Sequence, residues 1–187
     1  MTRPPLLSFD DALERLLAQA SAVGEHQTVP VMEAHGRVLA RAVRSTIDVP
    51  RADNTQMDGY AVRAAEASAG ARLKVSQRIP AGHVGGPLEP GTAARIFTGG
   101  LIPPGADAVV MQEATESDGD AVVIREAATP GQWIRRAGED IREGAEILRA
   151  GERLRPQAVG LAASVGLAEL AVHRRVRVAC FFTGDEL

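Results

Sequence analysis

Aromatic side chains are nearly missing from this chain: one Trp, one Tyr and four Phe make up 3% of its 187 residues. Proteins that hold single-stranded nucleic acid stack bases on aromatic rings, so a surface of that kind is excluded. Cysteine is as scarce. Cys180 alone allows neither an intramolecular disulfide nor a thiolate metal cage, and it fits a reducing compartment. Basic residues never gather into a block and the formal net charge is -3, which argues against a nucleic-acid partner. No run reaches the roughly eighteen apolar residues needed to span a bilayer, and Met1-Thr2-Arg3-Pro4-Pro5 leads into no apolar core of the export type. The expectation is a cytoplasmic protein with neither membrane nor nucleic acid as partner.

What the chain does have is apolar content, 45%, together with 19 glycines and 11 prolines. That suffices for a real core in one or two domains, built from short strands and turns more than from a helical bundle. Ser8 is placed to cap a helix whose first turn holds Asp10 and Asp11, and Phe9, Leu13, Leu16 and Leu17 form its apolar stripe. The helix is expected to end before Gly24. Thr28 to Val31 reads as a strand edge at Pro30, and residues 33–39 as a brief helix. Between 61 and 134, four β-rich runs separated by Gly and Pro clusters predict a compact barrel-like or sandwich-like β-domain, with one helix near 63–69. Residues 146–154 read as a hairpin turning at Ala150-Gly151, 156–165 as a helix opened by Pro156 and closed by Gly166, and 167–173 as a strand. The run 176–182 reads as a buried parallel strand, after which the polar turn Thr183-Gly184-Asp185-Glu186 would begin an α/β domain. On this reading the chain is the N-terminal part of something longer.

Four polar glycine turns carry the candidate chemistry. They are Asp53-Asn54-Thr55-Gln56-Met57-Asp58-Gly59-Tyr60, Thr98-Gly99-Gly100, Gly138-Glu139-Asp140 and the terminal turn at Gly184. Glycine lets backbone N–H groups approach an anion, and carboxylates with water suit a hard cation such as Mg²⁺. Arg135-Arg136 supplies guanidinium forks matched to oxyanions. Each turn taken singly is also ordinary turn chemistry, and an arginine pair is also an ordinary solvated surface. His35 and His83 have no metal-type neighbours in sequence and read as structural and loop residues.

Taken in order, residues 53–61, Arg95-Ile96-Phe97-Thr98-Gly99, residues 104–113, residues 134–141 and Thr183-Gly184-Asp185-Glu186-Leu187 resemble the molybdopterin molybdenumtransferases, the MoeA family. The resemblance extends over essentially the whole chain. It implies an α+β multidomain architecture: a partly helical discontinuous domain (1–43 and 141–175), a β-rich domain inserted in it (44–140), and the first strand of an α/β molybdopterin-binding domain (176–187). It implies molybdenum cofactor biosynthesis, with molybdate inserted into adenylylated molybdopterin, Mg²⁺ as cofactor and AMP released. A homodimer is implied too, with the molybdopterin adenylyltransferase that supplies the substrate as a further partner. Carried over by position, Asp58, Asp140, Thr98 and Glu186 are the expected catalytic residues. Arg135, Arg136, Thr183 and Gly184 are expected to bind the anion, and Asp58, Asp140 and Glu186 the metal. The chain by itself is expected to be inactive. The competing reading is a dimerisation or scaffolding module without catalysis.

Overall fold

The computed structural model describes residues 7–182, which fall into two compact units, one formed by residues up to Val43 and from Leu148 onward, the other by Arg44–Ile147. In the first, helix α1 (Phe9–Gln19) is capped as its sequence asks: the Ser8 Oγ accepts the N–H of Asp11 at 3.1 Å. It buries none of its residues. Strand β1 (His26–Pro30) pairs antiparallel with β12 (Glu169–His173), and α2 (Pro156–Ser164) begins on its proline and stops at Gly166, whose φ of 84° lies in the left-handed region. Val29, Leu39, Leu154, Ala162, Val165, Leu170 and Val172 are buried here.

The second unit is built on a six-stranded mixed sheet. Its strands are β4 (Gly59–Val62), β5 (Arg72–Ile79), β6 (Thr92–Ile96), β7 (Ala108–Met111), β8 (Thr115–Asp118) and β9 (Ala121–Ile124), in the spatial order β7-β4-β6-β5-β9-β8. Only β5 and β6 run parallel within it. Strands β4, β7 and β9 look almost uniformly apolar in sequence, and in β4 and β7 successive residues feed two different cores. Val62, Ala93, Ala108, Val110 and Val122 pack on one face, Ala61, Ala94, Ile96 and Val109 on the other. Gly59 is required by the closeness of β7, since a Cβ there would stand 2.0 Å from the carbonyl oxygen of Val110.

Two short pairs complete the topology. Strand β3 (Asn54–Thr55) lies against β10 (Ile134–Arg135), and β2 (Val43–Arg44) against β11 (Glu146–Leu148) where the chain leaves and re-enters the first unit. Several local expectations give way here. The hairpin over 146–154 is not formed: Gly151 does turn the chain, at φ 81°, but β11 pairs with β2. Residues 152–154 instead bond to 37–39, with the N–H of Leu39 on the Glu152 carbonyl at 2.9 Å and that of Leu154 on Arg37 at 2.8 Å. The helix expected over 33–39 shortens to a single 3-10 turn, Val31–Glu33, because Gly36 adopts φ 76° and its N–H bonds the carbonyl of Leu154. The helix near 63–69 is likewise one turn, Ala64–Glu66, with the Ala64 N–H held by Asp107 at 2.7 Å. Residues 176–182 form no strand and are exposed; a strand needs a ladder partner, and none of the described strands runs beside them.

Candidate functional site

Strand β3 sits between the two polar turns singled out above. On one side the Gly99 N–H bonds the Thr55 carbonyl at 2.9 Å and the Thr55 N–H bonds Gly100 at 3.0 Å; on the other, Thr55 faces Ile134 and Asn54 faces Arg135. Thr55 is buried, and its hydroxyl donates to the Met57 carbonyl at 2.7 Å while accepting the Met57 N–H at 3.0 Å, closing the bend that leads to Asp58. The backbone thus brings residues some forty and eighty positions apart to one place.

Asp58 and Thr98 are one structure. The Oδ1 of Asp58 accepts both the backbone N–H of Thr98 at 2.8 Å and its hydroxyl at 2.6 Å. These two bonds, the hydroxyl's first, hold the Asp58 carboxyl below its ordinary range, and the charge of Arg95 adds to them. Asp58 is therefore ionised at neutral pH. Both donors of Thr98 are spent on it, so Thr98 orients Asp58 and does not itself present a donor to a ligand.

Asp140 is paired with Arg135, whose Nη2 reaches its Oδ2 at 2.5 Å and whose Nε lies 3.5 Å from Glu139. Asp140, followed by Glu139, raises the Arg135 guanidinium above its ordinary value. Arg136 takes another course: its Nη1 donates to Asp53 at 2.6 Å, and the Ala137 N–H donates to the other oxygen of the same carboxylate at 2.9 Å. That backbone bond leads the causes that keep the Asp53 carboxyl low. Arg136 is in this way a brace between the turn at 53 and the turn at 137. Gly138 has φ 70° and comes so close to Asp48 that a Cβ would sit 2.9 Å from its Oδ1.

Between these pairs lies an open groove of about 510 Å³ lined by Asn54, Thr55, Gln56, Thr98, Gly99, Arg135 and Glu139. Two of the expected site residues, Thr98 and Arg135, thus face one space, and each holds an expected carboxylate, Asp58 and Asp140 respectively. Thr183, Gly184 and Glu186 lie outside the described residues. Among the described residues no three His, Cys, Asp or Glu side chains gather into a metal-binding group. Contributors that the sequence did not single out are Asn54, Gln56 and Glu139 on the groove, Asp53 behind it, and Trp133. Trp133 has φ 55°, unusual for a bulky residue, and its carbonyl accepts the Gln56 N–H at 3.0 Å. Asp53, Asn54, Gln56 and Glu139 had a local signal in the polar turns that hold them, and Trp133 had none.

The fold recurs in solved structures. The molybdopterin biosynthesis moeA protein of Pyrococcus horikoshii OT3 superposes with a TM-score of 0.83 at 36% identity, over 90% of this chain and 46% of that one. Among curated relatives, molybdopterin molybdenumtransferase 2 of Mycobacterium tuberculosis is 44% identical over 180 residues, covering 93% of this chain and 44% of its own length. The molybdopterin molybdenumtransferase of Haemophilus influenzae is 38% identical over 184 residues, covering 97% and 46%. The family described as MoeA N-terminal region (domain I and II) matches residues 7–166. This chain belongs to the MoeA family. It spans just under half the length of the relatives it matches.

Proposed function

We propose that this chain supplies one wall of a site at which molybdate is inserted into adenylylated molybdopterin and the adenylyl group leaves as AMP. The observation that carries the reading is the single groove flanked by Asp58–Thr98 and Arg135–Asp140. Arg135 has donors beyond those given to Asp140 and Glu139, and Asn54 and Gln56 offer amide donors beside it, a set suited to oxyanion substrates such as molybdate or phosphate. By their place in the family's motif, Thr183 and Gly184 are assigned to anion binding and Glu186 to the metal and the catalysis.

Mg²⁺ fits the carboxylates present. Asp58 is held ionised and its Oδ2 lies outside the bonds to Thr98, while Asp140 keeps its Oδ1 outside the bond to Arg135. Hard cations take one or two such oxygens and fill the remaining positions with water and phosphate oxygens. When bound, the ion would neutralise charge on the reacting oxyanions. The chain's own groups orient: Thr98 fixes Asp58, and Arg135 fixes Asp140. The setting is the cytoplasm, with adenylylated molybdopterin delivered by the adenylyltransferase that makes it. In a full-length protein, Asp58→Asn is expected to depress molybdate insertion while the fold and subunit association persist; unchanged turnover removes Asp58 from the site.

A second reading is favoured by α1. Phe9 is 79% exposed and Leu16 71%, so an apolar helix face stands uncovered, as in a module that pairs with another copy of itself. The two readings are compatible when the complete site is shared between subunits of a homodimer.

A further inference from the structure

On the sheet face that carries Tyr60, two arginines are immediate cross-strand neighbours. Register sets Tyr60 opposite Arg95 on β4 and β6, and Arg78 opposite Arg95 on β5 and β6. Like charges directly opposite one another weaken a sheet. Among the described residues, neither guanidinium has a carboxylate at ion-pairing distance. Phe97 holds them there: the Cζ of Arg78 lies 4.4 Å and that of Arg95 4.6 Å from its ring centroid, and Arg95 is also 5.3 Å from the centroid of Tyr60. Arg95 is anchored further by the Gly59 carbonyl at 2.9 Å and by Gln112 Oε1 at 2.6 Å. Arg78 is exposed and has only the ring.

Both arginines line a cleft of about 460 Å³ with Tyr60, Ser76, Ser117 and Asp120. Asp120, on the cleft wall, lies 4.0 Å from Arg72, and Asp58, whose carboxyl feels the charge of Arg95, is bonded to Thr98, so among the described residues neither carboxylate forms an ion pair with Arg78 or Arg95. No residue of this cleft lines the groove at Thr98 and Arg135. A sheet keeps an unfavourable cross-strand pair where something besides stability depends on it. An anion between two guanidinium forks turns the repulsion into two attractions, with charge-assisted hydrogen bonds to its oxygens and further donors in the hydroxyls of Tyr60 and Ser117.

We propose that the Arg78–Arg95 cleft is a second oxyanion site, taking a tetrahedral oxyanion of the phosphate and molybdate class, free or carried on an ester. It does not rest on the molybdate-insertion reading. The test is calorimetric titration of the whole chain at low ionic strength with inorganic phosphate, with molybdate and with AMP. Saturable binding is expected, weakened tenfold or more by Arg78→Gln and largely kept by Arg78→Lys. It should be unaffected by Arg72→Gln, which removes a neighbouring but already paired charge. In the unsubstituted chain the NMR signals of the Phe97 and Tyr60 rings should move with phosphate. AMP that competes with phosphate identifies a phosphate ester as the ligand, and AMP that does not identifies the free oxyanion. Binding within twofold of native in Arg78→Gln, an equal loss in Arg72→Gln, ring signals that do not move, or no saturable binding overturns the proposal.

Discussion

At the scale of single residues, the chemistry of the groove turns on who holds whom. Thr98→Val keeps the backbone N–H on Asp58 but removes the hydroxyl that leads the lowering of its carboxyl pKa. The Asp58 titration, followed by carboxyl carbon NMR, should move back toward its ordinary 3.8. The sign for stability follows. A carboxyl lowered in the folded state contributes above its unfolded pKa, and the contribution is lost as pH falls through the folded value. Thr98→Val should therefore lower neutral stability slightly, with the difference from native vanishing as pH falls through the folded value; a loss that is larger in acid than at neutral pH contradicts the assignment. Residue types were legible in sequence here, and their partners were not. Asp58, Asp140, Thr98 and Arg135 were all marked as site residues by motif. That Arg136 is spent on Asp53, 83 positions away, depends on folding and leaves no mark in either local stretch. Trp133 is the extreme case, since nothing about a tryptophan advertises a left-handed backbone.

At the scale of elements, the sheet has little room. Gly59→Ala would press a methyl group into the Val110 carbonyl of the neighbouring strand, and backbone cannot step aside as a side chain does. Overpacking costs about 1–3 kcal/mol, and this variant is expected at the upper end, read as a lower denaturant midpoint with an unchanged slope. Native-like stability would mean that β4 and β7 separate without loss. Elements set by local rules were legible: α1 from Ser8 and its stripe, α2 from Pro156 and Gly166, the short strands from their Gly and Pro boundaries. Elements whose identity depends on a remote partner were not. The turn at Gly151 is where the sequence put it, yet its arms join β2 and residues 37–39, because pairing is decided by which strands arrive alongside. The run 176–182 has strand composition and no strand for the same reason.

At the scale of the whole molecule, the uncovered apolar face of α1 predicts self-association. Light scattering should report a dimer for the native chain and a monomer for the double substitution Leu16→Glu and Leu17→Glu, with the far-ultraviolet spectrum unchanged because both side chains are exposed. A native monomer would remove the helix from that role. The pairing of β2 with β11 has a further consequence. The polypeptide departs and comes back through adjacent hydrogen-bonded strands, which form a two-stranded stem at the ends of Arg44–Ile147. Bridging that stem with a few glycines and serines would demand little closure entropy, leaving the remainder free to fold as a miniature. Cassettes moored at one such point can be lost, exchanged or grafted onto another host without rewiring what they are moored to.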